Sequence, residues 1–516
     1  MDAAARVAVS LRGVPGSNFA GLWDEIARLV PDSTALVSEG RRATWADLAD
    51  RAHHLAWYLH HSALLAPGDR VAIALTNRPE YLEAFYAALA LRCVPVNVDP
   101  RWTTEEIHHV LDDSDAKIVV HAPDLAKSVR TAARRIPKPW RPQLLKVGDP
   151  YERALAAATP PDDELPGHTP LPAPDGHDLI FVYSGGTGGM PKAVMWRNDD
   201  LHRGLAGKQS GVVLPVAPLA QSTGLFSAVA ALSGHGTVVL LEPAHVDPAL
   251  VWSTVERDRV ETLTLVGDAF ARPLLDALDG EHSWDLSSLR AITSSGTGFS
   301  PEITRRLVAH LPHVSVAGSL HGSGGAGPLT LSERVAVLGE ETMQPVLPGS
   351  DEIGLLAKTG FMPVGYWKDA ARTATTFRVV DGTRYVISGE YATVAADGTV
   401  HLVGRAAASI NTDREKVAPD DVERRLAKHP SVQDCVVVGV PDNRARERIV
   451  ALVVVVENHY LDEAELTAWC RTKIASHQAP ECFLFVDSLH RSQSGRVSHS
   501  QLRELAIEIL AREELG

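Results

Sequence analysis

Apolar positions in the first third of the chain switch repeatedly between two patterns. Val71 to Leu75 is a short continuous apolar run, the length of a buried strand. From Glu80 to Arg92, Tyr81, Leu82, Phe85, Leu89 and Leu91 recur at mostly helical spacing. Val94 to Val98 is strand-like again. Thr103 and Glu106 make a capping box that opens a helix through Leu111, and Ile118 to Val120 reads as the next strand. Thr44 likewise opens a helix through Leu59. This alternation predicts an α/β fold with substantial parallel pairing.

Thr159 to His177 holds six prolines and predicts a loop. An apolar strand, Leu179 to Tyr183, follows, and alternation is expected to continue to about residue 400. From Gly404 the pattern becomes a compact α+β unit. It reads as a helix (Asp420 to Lys428), two strands (Cys435 to Val440 and Ile449 to Val456), a helix (Asp462 to Ile474) and a strand (Cys482 to Val486). The chain is therefore expected to divide into a domain of residues 1–403 and a smaller one of residues 404–516.

Composition narrows the function. With 45% hydrophobic and 22% charged residues, the chain is an ordinary globular protein, which excludes disorder, collagen and coiled-coil arrays. The longest strongly apolar run, Ile449 to Val456, is far short of the roughly 20 residues that span a bilayer. Met1-Asp2-Ala3 opens no secretory signal, and four cysteines suit neither a disulfide scaffold nor a zinc site. A cytoplasmic protein is expected. The net charge of −14 argues against a nucleic-acid partner. A local phosphate site is still open, because backbone amides bind phosphate without net charge.

One stretch suggests such a site: Tyr183-Ser184-Gly185-Gly186-Thr187-Gly188-Gly189-Met190-Pro191-Lys192. Its four glycines let backbone N–H groups approach an anion without interference from Cβ atoms. Ser184 and Thr187 add hydroxyl donors, and Lys192 adds a positive point charge. A Walker A loop would instead end in Gly-Lys-Ser/Thr. A plain surface turn would not need a strand before it and Pro-Lys after it.

This loop resembles the phosphate-binding signature of the adenylate-forming superfamily, which includes acyl-CoA synthetases, peptide-synthetase adenylation domains and luciferases. The resemblance runs from about residue 20 to residue 508. Val266-Gly267-Asp268-Ala269-Phe270-Ala271-Arg272-Pro273, Ser294-Ser295-Gly296, Ile410-Asn411 and Glu415-Lys416-Val417 are similar to the actinobacterial fatty-acyl-CoA synthetase branch. It implies a large N-terminal domain of α/β subdomains and a small mobile α+β C-terminal domain. It also implies the chemistry. A carboxylate attacks the α-phosphate of ATP, with Mg²⁺, to give an acyl-adenylate and pyrophosphate, and a thiol then takes the acyl group. Carried over residue by residue, the resemblance assigns phosphates to Lys192, Thr187 and the loop glycines. Ribose goes to Glu390, nucleotide contacts to Arg405, and the nucleotide site also takes in Gly296, His321 and Gly322. Arg496, on the C-terminal loop, supports adenylation.

Several positions depart from the family pattern. Gly188 stands where a second threonine is usual, and Ala193 replaces the glycine after the lysine. The glutamate that usually helps hold Mg²⁺ is Gly325, so the metal ligand is open. The ribose aspartate is Glu390 and the polar hinge residue is Ala407. Asp413-Arg414 replaces the glycine pair that usually lines the pantetheine route. The lysine of the C-terminal Ser-Gly-Lys is Arg496, a planar fork in place of a compact ammonium. Gln221 replaces a histidine that often lines the acyl pocket. The parts that bind nucleotide are kept, and the parts that grip a carboxylate and admit CoA are altered. The expectation is an enzyme that activates a small acid as an AMP ester and passes it to a non-CoA acceptor. The specific form would be a diazotase joining nitrite to an aromatic amine, because a bidentate arginine suits a planar oxyanion. The alternatives are an orthodox fatty- or aryl-acyl-CoA synthetase with a thiol acceptor, and a non-catalytic nucleotide-binding homologue.

Overall fold

The computed structural model describes residues 18–158, 172–184, 190–205, 211–242, 247–280, 283–295, 298–319, 330–350, 352–405, 410–411, 416–417, 419–441, 447–474, 478–489, 491, 497 and 499–513. It forms two compact units. The first is Met1–Gly185, Met190–Ala326 and Phe361–Ala370, and the second is Gly186–Gly189, Gly327–Gly360 and Ala371–Gly516.

The first unit is layered. Strands β1 (Thr34–Ser38) and β2 (Arg41–Thr44) form a hairpin on Glu39-Gly40, both with positive φ. This is the two-residue turn whose twist matches that of the strands. Then come β3 (Arg70–Ala74), β4 (Val94–Asn97), β5 (Ala116–His121), β6 (Gln143–Lys146), β7 (Leu179–Ser184) and β8 (Lys192–Arg197). They are followed by β9 (Val212–Pro215), β10 (Thr237–Leu240), β11 (Thr262–Leu265), β12 (Ala291–Ser295) and β13 (Ser315–Ser319). One sheet has the order β8-β7-β4-β3-β5-β6, with the short strand Gly365–Tyr366 beyond β8; β3 to β7 run parallel and β8 returns antiparallel. The other has the order β13-β12-β11-β9-β10-β1-β2, parallel except for the terminal hairpin.

The helices Trp45–His61, Pro79–Ala90 and Thr104–Asp113 form where the sequence predicts them. Thr44 with Asp47, and Thr103 with Glu106, close reciprocal capping boxes on the helices Trp45–His61 and Thr104–Asp113. Each box satisfies backbone N–H groups that the first turn leaves unpaired. The helices Phe19–Leu29, Trp45–His61, Pro79–Ala90 and Ser222–Ser233 bury Trp23, Leu55, Phe85 and Leu225 against apolar residues of both sheets. This shared helix layer therefore lies between the two sheets. The outer faces are covered by the helices Thr104–Asp113 and Ala126–Arg134 on one sheet, and by Pro248–Asp258, Gly267–Leu278 and Pro301–His310 on the other. Trp45 is fully buried in the shared layer.

In the second unit the expected alternation up to residue 400 gives way to an antiparallel sheet. Val335–Gly339, Gly354–Lys358, Thr383–Val394 and Phe377–Val380 are neighbours in that order, and Val400–Arg405 also pairs with Thr383–Val394. The physical reason lies in the turns. Asp381-Gly382 supplies two positive-φ residues between Val380 and Thr383, a tight hairpin that needs no crossover helix. Beyond it, Val432–Pro441, Glu447–Val455 and Cys482–Phe485 form a second sheet. Helices Pro419–Leu426 and Glu463–Lys473 cover one face, and His499–Glu513 covers the other. These elements follow the α+β pattern read from residue 404 onward. The expected division at 403/404 falls within this second unit.

Candidate functional site

The glycine-rich stretch leaves the first unit at a defined place. β7 ends at Ser184, β8 begins at Lys192, and the two residues pair across the hairpin. The loop between them therefore departs from the carboxyl edge of the parallel strands, where α/β sheets take ligands. Ser184 is exposed and Lys192 is partly exposed at this edge.

Buried amides hold the edge in place. Asn97, at the end of β4, is 3% exposed. Its Nδ2 donates to the carbonyls of Tyr183 and Ala220, and its Oδ1 accepts from the Tyr183 N–H. Asn77 does the same after β3. Its Nδ2 donates to Pro215 O (3.0 Å) and Ala217 O (3.2 Å), and its Oδ1 accepts from Leu219 N (2.7 Å). The two sheets are thus stitched at their carboxyl ends, one residue upstream of Ser184. The Tyr183 hydroxyl donates to Asp113 at 2.6 Å; burial, then that bond, raise its pKa, so it stays a neutral donor.

The arm of the loop that enters β8 is also fixed. His109 Nε2 donates to the Pro191 carbonyl at 3.0 Å. Lys192 Nζ lies 3.7 Å from Asp369 Oδ2. Asp369 follows two anchored residues: Trp367 Nε1 and Lys368 Nζ both donate to the Asp113 carbonyl, at 2.9 Å and 2.7 Å. The lysine therefore has a fixed carboxylate counter-ion at the mouth of the hairpin. Chemically, the arrangement offers a partly exposed cation at the carboxyl edge of the sheet, which suits a polyphosphate.

Next to it, the Asp99 carboxylate accepts from Arg101 Nε (2.8 Å) and from Gln221 Nε2 (3.3 Å). Gln221, at the acyl-pocket position of the resemblance, is thus tied to an ion pair whose carboxylate is buried and whose guanidinium is exposed. In the other parallel sheet, Ser294 is buried and its Oγ accepts from Gly267 N at 2.8 Å, which fixes the start of the helix Gly267–Leu278.

In the second unit, Glu390 is 5% exposed and stands opposite Arg405 in the strand register. Lys358, 9% exposed, lies on the neighbouring strand. Burial lowers the Lys358 pKa, and the Glu390 carboxylate partly offsets this. Glu390 is thus a buried carboxylate with a buried cation near it, preceded by Gly389 at positive φ. Such a group can accept two hydroxyl donors. Of the expected site residues, Ser184, Lys192, Glu390 and Arg405 are located in this way, Arg405 by its backbone alone. Thr187, Gly185, Gly186, Gly188, Gly189, Gly296, His321, Gly322 and Arg496 lie outside the described residues, as do Gly325, Ala407, Asp413 and Arg414.

Asn77, Asn97, His109, Lys358 and Asp369 are additions that the sequence reading missed. The two asparagines carried a signal, because each is a polar amide at the end of an apolar run. His109 and Asp369 carried none, because their partners lie 82 and 177 positions away. Among the described residues, no group of three or more His, Cys, Asp or Glu side chains is arranged to hold a metal ion.

Comparison with known proteins places this architecture. The pattern of the AMP-binding enzyme family matches residues 23–351, and that of the AMP-binding enzyme C-terminal domain matches residues 421–496. The chain is 33% identical to a 3-oxocholest-4-en-26-oate–CoA ligase of Rhodococcus rhodochrous, over 93% of this chain and 94% of that protein. Among solved structures it is similar to an anthranilate CoA ligase in complex with anthranoyl-AMP, with a TM-score of 0.79, 20% identity, and 96% and 98% of the two chains covered. It is also similar to the amide bond synthetase McbA of Marinactinospora thermotolerans, with a TM-score of 0.75, 23% identity, and 94% and 99% covered.

Proposed function

The chain belongs to the AMP-binding enzyme family and is an ATP-dependent adenylate-forming ligase, and on that premise we propose how its own residues act and on what. The observation that carries the proposal is the β7–β8 hairpin. It puts Lys192 and the glycine-rich turn at the carboxyl edge of a parallel sheet, anchored by Asn97. ATP phosphates lie along the turn, with the Thr187 hydroxyl and Lys192 drawing charge toward the departing pyrophosphate. Glu390 accepts the ribose hydroxyls, and Arg405 contacts the nucleotide. Gly296, His321 and Gly322 complete the nucleotide wall. Arg496 neutralises the acid while its oxygen attacks the α-phosphorus and pyrophosphate leaves. Mg²⁺, if bound with ATP, would screen the phosphate charge and would rely on few protein ligands, since no metal-holding cluster of His, Cys, Asp or Glu is present among the described residues. Residues 1–403 form the adenylating domain and residues 404–516 the mobile one; the two family matches fall on either side of that division. The setting is cytoplasmic.

The finer reading concerns the acid and the acceptor. The name of the Rhodococcus relative, matched over nearly the whole chain, supports a carboxylic acid passed to CoA. This places the CoA ligase reading, an alternative in the sequence analysis, ahead of the nitrite-and-amine reading. A non-CoA acceptor remains the second reading. It is favoured by Asp413-Arg414 on the pantetheine route and by Arg496 in place of lysine. The test is pyrophosphate release from ATP and Mg²⁺, run with a carboxylate panel plus CoA and with nitrite plus aromatic amines. A CoA thioester product supports the first reading, and a diazo or amide product the second. Nucleotide binding without acid-dependent release overturns both.

A further inference from the structure

The net charge of −14 conceals one strongly basic stretch. Between Asp124 and Asp149 the chain carries seven Lys and Arg and no Asp or Glu, although acidic residues outnumber basic ones 64 to 50 overall. The stretch spans the helix Ala126–Arg134, a short 3₁₀ turn (Lys138–Trp140) and β6, the edge strand of its sheet. The helix buries Val129, Ala132 and Ala133, so Lys127, Arg130 and Arg134 share its outer face. Lys138, Arg141 and Lys146 continue the exposed row to the sheet edge. Arg135 is paired with Glu105. Among the described residues the other six make no salt bridge; Arg141 donates to the carbonyls of Arg134 and Ile136, and the other five are exposed.

The row carries apolar tips. Trp140 is 68% exposed, with Lys117 Nζ 5.7 Å from its ring, and Leu144 beside it is 37% exposed. At the same edge Gln143 Nε2 donates to Ala63 O, which places Leu64, 80% exposed, next to the strand. A solvated charged face has no need of an exposed indole and two exposed leucines. An anionic bilayer uses both parts: cations meet headgroup phosphates, and indole and leucine enter the acyl boundary. A nucleic acid would use the cations and the indole, but not the leucines.

We propose that the surface formed by residues 126–146, centred on Trp140, docks the protein on anionic phospholipid membranes. The docking is interfacial. No helix among the described residues is long and apolar enough to cross a membrane. The surface lies away from the carboxyl edge that carries Lys192, since β6 is the far edge strand of the sheet. Each cation near an anionic leaflet strengthens association about fivefold, and the attraction weakens with salt.

The test is flotation of the full chain with vesicles of phosphatidylcholine alone or with 30% phosphatidylglycerol added, at about 0.1 M and about 0.5 M salt. Two variants are compared, Trp140→Ala and the combined Arg134→Gln, Lys138→Gln, Arg141→Gln. Pyrophosphate release and the thermal melt check that both variants fold. The expected result is binding to the anionic vesicles only, lost at high salt. It should fall about 100-fold in the triple variant and several-fold in Trp140→Ala. No binding, or equal binding by the folded variants, overturns the proposal. Tighter binding to a DNA oligonucleotide than to the vesicles at the same salt also overturns it, and would make the surface a polyanion site.

Discussion

At the residue scale the site depends on a few side chains with unequal duties. Lys192 acts as a charge, so replacing it should affect chemistry more than folding. Lys192→Ala should lower kcat/KM for ATP about 100-fold with little change in the melt, and Lys192→Arg should recover part of the loss. Steady-state pyrophosphate release and thermal unfolding separate the two effects. Asn97 acts as a clamp. Asn97→Ala strips partners from the Tyr183 N–H and from two carbonyls in a buried place, and should cost about 3 kcal/mol in denaturant unfolding. These duties were unequally legible. Lys192 and Glu390 sit in local patterns whose meaning lies within a few residues of chain. Asn97 showed only as an amide at a strand end, and Asp369 not at all, because a charge pair 177 positions apart leaves no trace in spacing.

At the element scale, helix starts and parallel strands were the most readable features. Their signals are local: a capping residue, an apolar run, a period. Thr103→Ala removes a cap whose hydroxyl accepts the Glu106 N–H, and should cost about 1 kcal/mol by thermal or urea unfolding, while Thr104→Ala serves as the neighbouring control. Three helices of the shared layer meet at Asp24, which accepts from Tyr86 and pairs with His53 at 2.8 Å. The bond to Asp24, opposed by burial, raises the His53 pKa above its ordinary value. The sign follows from linkage. The protonated histidine contributes stability fully below the unfolded value near 6.5, and that contribution is lost as pH rises through the higher folded value. His53→Gln should therefore lower stability at pH 5.5 more than at pH 8.5, and equal losses at both would mean the pair carries no charge-dependent stability. The antiparallel sheet of the second unit was misread as continued alternation. Its decisive signal was Asp381-Gly382, two residues long and easily lost beside flanking apolar runs.

At the scale of the whole molecule, layering explains where function sits. Parallel sheets buried on both faces leave their carboxyl ends as the accessible edge, and the sequence puts its glycine-rich turn there. The fold class was legible because so many short signals agree on it. The acceptor was not, because it depends on residues drawn from distant segments and on small substitutions within them. The patch around Trp140 was hidden for the opposite reason: a whole-chain charge sum averages a basic face into an acidic surface. The central claim is that this chain makes an AMP ester from an acid. The most direct measurement is pyrophosphate release from ATP and Mg²⁺ by the purified full chain, with each acid added in turn and the nucleotide product identified. Release should depend on an acid, with AMP or an acyl-adenylate formed in step, and should fall about 100-fold in Lys192→Ala. Nucleotide bound tightly, with no acid able to trigger release in the wild-type protein, would contradict that claim.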